Sequence, residues 1–486
     1  MSRATATAYE TVIGLECHVE LSTRTKMFCG CANEFGAPPN TLVCPVCLGH
    51  PGTLPVPNEK AIEYTIRIGL ALGCEIAPRS LFHRKNYFYP DMPKNYQISQ
   101  YDLPLCVGGH LDIEIDGRTR RVGITRVHLE EDTGKTTHAG TTGRIAEAEY
   151  ALEDYNRAGV PLVEIVSEPD IRSPEEARAY LLELRALLRS LGVSDVKMEE
   201  GSLRCDANIS VRPEGRPEYG TQVEIKNMNS IRSVERALAY EAERHRAALD
   251  AGEVVVQETR HWDEGKGSTS SMRSKEEAFD YRYFPDPDLV PLEPEASWVE
   301  EIRASLPELP AARRGRLQSQ HGIPLPQAAQ VVGSGWDEFF EDAVAAGADG
   351  EAVANWMTGD LAGLLNEAGI DLADSKVTPG HLADIVRLVA DGEISTAGAK
   401  QALAEAFETG NDVARIVEER GLAQISDESA LGALVDEAIA ENPGPVEQFR
   451  GGKEGVIGFL VGQVMKKSKG AANPQEAQRL LRERLT

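Results

Sequence analysis

The stretch Val196–Ser210, VKMEEGSLRCDANIS, decides how the first half of this chain is read. After Gly201 its residues alternate. Arg204, Asp206, Asn208 and Ser210 take one face, and Cys205, Ala207, Ile209 and Val211 the other, the period of a half-buried strand. A Pro/Gly-rich turn, RPEGRPEYG, leads to a second strand-like run, Thr221–Asn227 (TQVEIKN), in which Gln222, Glu224 and Lys226 share a face. A hairpin of the two gathers Asp206 and Glu224 on one polar surface. Gathered carboxylates repel unless a cation or a proton intervenes. Taken by themselves, two such acids also fit a solvated edge hairpin, so the surrounding motifs have to decide.

Thr11–Leu21, TVIGLECHVEL, alternates in the same way, with Gly14, Glu16, His18 and Glu20 on the polar face. A carboxylate and an imidazole two residues apart on one strand reach the same point above a sheet and suit a hard, Mg²⁺-type ion. Val122–Asp132, VGITRVHLEED, closes on three consecutive acids. Glu131 is out of phase with Arg126 and His128, so the strand is expected to end before it. The following Gly134-Lys135-Thr136 is no Walker A loop, because Leu129 stands where the first glycine belongs. Arg84-Lys85-Asn86-Tyr87-Phe88-Tyr89, with Lys94 and Tyr96 close behind, mixes cations with aromatics and suits phosphates or a stacked base as well as plain packing. No GxSxG elbow is present, so a nucleophilic hydrolase site is not expected, whereas phosphoryl transfer needs only positioned cations and metal-bound oxygens.

Cys29-x-Cys31 and Cys44-x-x-Cys47 form two closely spaced thiol pairs, bracketed by Gly30, Pro45 and Gly49. They predict a closed, structural zinc site; the other four of the eight cysteines sit in apolar phase and read as core. With 51 basic and 77 acidic residues the formal charge of the 486-residue chain is −26, so bulk electrostatics excludes non-specific nucleic-acid binding and any RNA contact needs a local basic patch. The tail offers one at Lys466, Lys467, Lys469, Arg479, Arg482 and Arg484, with a snorkelling helix face as the lesser alternative. No apolar run reaches 18 residues and the N-terminus lacks a signal-peptide core, so a cytoplasmic protein is expected.

The organisation follows from composition. An α+β architecture is expected, with a β-rich domain over 1–293 interrupted by helices at Glu59–Leu72, Pro174–Leu191 (Ser173 as N-cap, Glu176 placed for a capping box) and Ile231–Ala251. Beyond a proline-rich connector the helical periods of an all-α half run to the end, divided near 408 into 294–408 and 409–486.

The strings VIGLECHVEL, RKNYFYPDMPKNYQISQYD, HLEEDTGK, PLVEIVSEPDIRSPEEA, VSDVKMEEGSLRCDANISVRP, EIKNMNS, ETRHWDE and DYRYFPDPDLVPL, with the tail GFLVGQVMKKSKGAANP, closely resemble the B-subunit family of bacterial glutamyl/aspartyl-tRNA amidotransferases. The related archaeal E subunits share the first half but carry a large insertion for which this chain has no room. The resemblance implies a glutamine-synthetase-like cradle domain with a kinase site, then a helical domain and a mobile helical tail that holds tRNA. It implies an ATP-dependent carbon–nitrogen ligase with glutamine as amido donor. Such a subunit works in a heterotrimer with an amidase A subunit and a small C subunit. ATP phosphorylates the side-chain carboxylate of misacylated Glu-tRNA(Gln) or Asp-tRNA(Asn), and ammonia from the A subunit displaces the phosphate. Carried onto this chain, the Mg²⁺ set is Glu16, His18, Glu131, Asp206 and Glu224. Lys85 and Lys94 are implied to contact phosphate or guide ammonia, Arg84 and Lys85 to bind nucleotide, and Lys466, Lys467, Lys469 and Arg479 to hold tRNA. Cys29, Cys31, Cys44 and Cys47 match the family's zinc knuckle. Residues 139–153 look longer than the family's usual link and read as a surface insertion that turns helical. Two other classes remain open: a non-catalytic tRNA-binding scaffold, and a free-standing ligase acting on a small acid.

Overall fold

In the computed structural model the described residues are 8–139, 148–274, 278–424, 428–468 and 471–485. They fall into two compact units, residues 1–310 and 311–486.

The first unit is built on a ten-stranded sheet. Its strands, in chain order, are β1 (Tyr9–Glu20), β2 (Glu75–Ile76), β5 (Cys106–Val107), β6 (His110–Ile115), β7 (Arg118–Glu131), β10 (Pro161–Ser167), β11 (Leu203–Pro213), β12 (Val223–Lys226), β13 (Glu258–Asp263) and β14 (Ser268–Ser274). In space they run β14-β13-β12-β11-β1-β10-β7-β5-β2, with β6 paired to β7. A three-stranded sheet adds β3 (His83–Asn86) and β4 (Tyr96–Ser99) to β15 (Phe284–Pro285), and β8 (Lys135–Ala139) pairs with β9 (Tyr150–Asp154). β1 lies at the centre, antiparallel to β10 and β11. Its Ile13, Leu15, Cys17 and Val19 are fully buried while the alternate residues stay partly open. That alternation divides the sheet into an apolar face and a polar face.

Helices α1 (Glu59–Ala71), α2 (Pro174–Ser190) and α3 (Ile231–Asp250) supply the apolar side, with Ile66, Leu184 and Leu238 in one core with β1. Burying each such side chain contributes on the order of 2 kcal/mol. Ser173 caps α2 by accepting the Glu176 N–H (3.2 Å). The Glu176 carboxylate does not close a capping box: it accepts from the Arg172 N–H (2.7 Å) and from Arg120 (2.6 Å), tying the helix start to β7 instead.

Several expected boundaries move. Helix α4 (Ala296–Ala304) lies past the expected break at 293, yet Ile302, Trp298 and Leu306 pack on the sheet's core, so the first unit runs to Pro310. In the second unit one core gathers Leu317 through Ile416 and another Leu431 through Leu485. The division therefore falls after the helix Val413–Arg420, not at 408. Gly410 there is a helix C-cap at φ +75°, a break in the helix but not in the core. In the 139–153 stretch, residues 140–147 lie outside the described residues; Tyr150–Asp154 is a strand paired with Lys135–Ala139, not a helix. No helix among the described residues is long and apolar enough to cross a membrane.

Candidate active site and metal centre

Register places the polar residues together. Glu16 stands opposite Asp206, Gly14 opposite Asn208 and His18 opposite Arg204 across β1–β11. His18 faces Glu164 across β1–β10, and Glu164 faces His128 across β10–β7. Asn208 faces Glu224 on β12. Cross-strand partners share a face, so one surface carries Glu16, His18, Asp206, Glu224, Glu164, His128 and Glu130.

Two groups stand out on it. Asn208 donates to Glu16 (2.8 Å), Thr259 donates to Glu224 (2.7 Å), and Lys226 bonds Asp206 and lies 3.4 Å from Glu224. Burial, then the charges of Glu164, Glu224 and Asp206, push the Glu16 carboxyl above its usual range. In the second group, His18 Nε2 lies 3.5 Å from Glu130 and 3.9 Å from Glu164, and His128 Nε2 lies 3.0 Å from Glu164. Ligand atoms of His18, Glu130 and Glu164 all fall within 4.8 Å of one another, a spacing one ion can bridge. Against the cost of its burial, the two imidazoles hold Glu164 well below the carboxylate range. Buried acids that repel each other across one sheet face are the donor set a divalent cation needs.

Glu131 does not join them. β7 continues through Glu131, which pairs with Pro161, so consecutive glutamates turn to opposite faces. The Glu131 carboxylate is buried beneath the sheet, accepting from the Ile98 N–H (2.9 Å) and bonded to Lys94. Glu130, in phase with His128, holds the place expected for Glu131. Neither Glu130 nor Glu164 is among the residues expected from sequence, although the period-two step from His128 to Glu130 is visible there. Glu164 is a single acid in the apolar run PLVEIVS and shows no local signal. Arg204 is committed to the buried Asp132 (2.7 Å), and beside it the Glu20 carboxyl is pushed up by burial and by Asp132.

On β3, Lys85 lies 4.9 Å over the Tyr281 ring. The Arg84 guanidinium is held by Asp286 (2.8 Å) and Asp288 (2.9 Å) and covers Tyr96. Lys94 and Glu131 line a cavity of ≈ 210 Å³ that also touches Cys29 and Cys47. The four sulfurs of Cys29, Cys31, Cys44 and Cys47 lie within 4.8 Å of one another. A hydrogen bond from Cys29 pulls the Cys47 thiol down to about 5, with Lys26 (3.8 Å) also favouring the thiolate, whereas the same hydrogen bond raises Cys29 and burial raises Cys31; what suits the cluster to a thiophilic ion is the spacing of its four sulfurs. Cys17, Cys74, Cys106 and Cys205 are buried apart from it, as expected. In the tail, Lys467 pairs with Glu441 (2.7 Å) and Glu437 (3.2 Å), and Arg479 with Glu476 (2.8 Å) and Glu483 (2.7 Å). Lys466 lies in the last turn of the helix Ile457–Lys467, and Lys469 lies outside the described residues.

A family model described as the GatB/GatE catalytic domain matches residues 11–300, and one described as the GatB domain matches 338–485. The chain belongs to the GatB family. GatB-family relatives match it end to end. The aspartyl/glutamyl-tRNA(Asn/Gln) amidotransferase B subunit of Moorella thermoacetica is 55% identical over 98% of this chain and 100% of its own length. The protein of the same name from Frankia casuarinae is 56% identical over 98% and 96%. That from Carboxydothermus hydrogenoformans is 53% identical over 98% and 99%. The catalytic-domain match covers every residue of the polar face, from Glu16 to Glu224.

Proposed function

We propose that this GatB-family chain is the B subunit of a cytoplasmic tRNA-dependent amidotransferase, working with an amidase A subunit and a small C subunit. It converts Glu-tRNA(Gln), Asp-tRNA(Asn) or both into the amidated forms. A carboxylate resists attack by ammonia because its oxygen is a poor leaving group. A side-chain carboxylate oxygen therefore first attacks the γ-phosphorus of ATP, releasing ADP and leaving an acyl phosphate. Ammonia then attacks the carbonyl carbon, inorganic phosphate departs, and the nitrogen loses a proton.

The observation that supports this reading is the convergence of acids from five strands on one sheet face. Glu16, His18, Asp206 and Glu224, with Glu130 and Glu164, would hold Mg²⁺. Bound there, Mg²⁺ supplies charge neutralisation for the phosphates and the attacking carboxylate. The chain's own cations complete the arrangement. Lys226 offsets the charge of Asp206 and Glu224. Lys85, with Arg84 anchoring the strand beside it, would contact a phosphate. Lys94, paired with Glu131 beneath the sheet, borders a cavity of its own and would guide ammonia. Four thiolates at Cys29, Cys31, Cys44 and Cys47 would hold a structural Zn²⁺. In the tail, Lys466, Lys467, Lys469 and Arg479 would bind the tRNA body, the carboxylate partners of Lys467 and Arg479 giving way to phosphates.

The reconstituted three-subunit enzyme, assayed on Glu-tRNA and Asp-tRNA with ATP withheld in one arm, tests the reading. Asp206→Ala is expected to reduce ATP-dependent amidation by about a hundred-fold or more. Wild-type amidation by that variant would instead favour a scaffold that only positions tRNA for its partners.

A further inference from the structure

An aromatic cluster beside the carboxylate face has no part in the phosphoryl chemistry. β4 is bonded to the acid site: Ser99 donates to Glu130 (3.3 Å) and Gln97 to the Glu131 carbonyl (2.7 Å). Two residues past Ser99, Tyr101 stacks on Tyr283 with ring centroids 4.3 Å apart and planes 11° from parallel. Tyr283 meets Tyr281 edge-on at 6.2 Å, and Tyr281 meets Tyr87 at 6.5 Å. His83 closes the other end against Tyr101 at 6.3 Å, itself held by Asp102 (2.9 Å). Tyr283 is close enough to Glu130 and Glu164 for their charges, after burial, to raise its phenol.

The backbone that presents these rings is strained. Arg282, between Tyr281 and Tyr283, sits at φ +48°, in the left-handed region that non-glycine residues avoid. Asn86 clamps that turn by donating to the carbonyls of Arg282 (2.9 Å) and Tyr281 (3.3 Å). Strain held by a dedicated hydrogen-bond clamp fixes where the rings point. One face of Tyr101 is covered by Tyr283, yet the residue is 48% exposed, so ring surface is left open beside the acids. A core has no use for such an arrangement; a flat, uncharged π-ligand fits it, because it stacks without being repelled by the carboxylates.

We propose that Tyr101, backed by Tyr283, is an adenine-stacking shelf beside the carboxylate site, with the Lys85 ammonium over Tyr281 as its phosphate-side cation. The inference rests on the amidotransferase reading, since both substrates of that reaction carry adenine: ATP, and the terminal adenosine of the tRNA acceptor end. The two sources share one chemistry and separate by experiment.

The test uses the full chain assembled with its partner subunits and two fluorescent probes, 2-aminopurine riboside triphosphate and a tRNA ending in 2-aminopurine. Stacking on Tyr101 quenches emission in the nucleotide arm or the tRNA arm, and the arm that responds names the source. Tyr101→Leu is expected to abolish that quenching and raise KM for the same substrate by about ten-fold. Tyr101→Phe keeps the ring and is expected to keep both wild-type values. Binding of both probes without quenching, or unchanged KM for both substrates in a folded Tyr101→Leu enzyme, overturns the shelf; should that variant not fold, the quenching of the wild type still decides. A wild-type enzyme without ATP-dependent amidation would instead overturn the function on which the inference rests.

Discussion

At the scale of single residues, the two neighbouring glutamates of HLEED show how one step along a strand changes a role. Glu130 shares the polar face with His18 and Glu164, while Glu131 is buried on the far side with Lys94 and the Ile98 amide. Replacing each in turn separates the two positions. Glu130→Gln is expected to raise the Mg²⁺ concentration for half-maximal amidation by about ten-fold, whereas Glu131→Gln leaves that concentration unchanged. A titration of amidation rate against Mg²⁺ reads both; equal shifts in the two variants would mean that the strand's two faces do not divide the work. Lys226 shows the same economy in the opposite charge: against the cost of its burial, Asp206, Glu224 and Glu16 hold its ammonium well above the usual range.

At the scale of elements, α3 is locked to β13 and β14 by one buried carboxylate. Glu241, fully buried on α3, accepts from Arg244 (2.7 Å), from Arg260 of β13 (3.1 Å) and from Thr269 of β14, with His245 at 3.4 Å. Burial alone would raise its carboxyl; the nearby His245 imidazole and the hydrogen bonds of Arg244 and Thr269 outweigh that and hold it at about 2. The folded value lies below the unfolded one, so the stabilisation is complete above pH ~4.5 and is lost as pH falls from there towards 2. Glu241→Gln is expected to cost about 3 kcal/mol at pH 7, because it removes the buried charge on which Arg244, Arg260 and Thr269 converge. It is also expected to flatten the pH dependence of stability between pH 5 and 3 relative to wild type (~2 kcal/mol). Denaturant titrations at a series of pH values measure both, and parallel pH profiles for the two proteins would contradict the assignment.

At the scale of the molecule, the chain is two compact units with separate cores. Leu403, fully buried in the helix Thr396–Thr409, belongs to the second unit alone. Leu403→Ala is expected to destabilise the helical unit by about 3 kcal/mol and to leave the unfolding of the sheet unit where it is. Calorimetry of the variant should show one transition lowered and the other unmoved; a common downward shift would mean that the units melt as one.

Period-two alternation determined, from sequence alone, the faces of β1, β11 and β12, so that Glu16 shares a side with His18 and Asp206 with Glu224, because strand geometry is local and every second side chain shares a side; that the two pairs belong together was implied only by the family resemblance, and the β1–β11 register is what sets Glu16 opposite Asp206. Thiol spacing likewise placed Cys29, Cys31, Cys44 and Cys47 in one cluster, and helical period divided the sheet half from the helical half. What needed the tertiary structure was whatever depends on a neighbour distant in the chain. Glu164 joins the site only through its register with His18 and His128, and an isolated acid in an apolar strand carries no sign of that. Glu131 is turned away by the continuation of β7 against Pro161. The first unit extends to Pro310 because α4 finds an apolar surface there, and the 150–154 segment is a strand because Lys135–Ala139 pairs with it. Alternation fixes which way a side chain points, but only the packing of strand on strand decides what it meets.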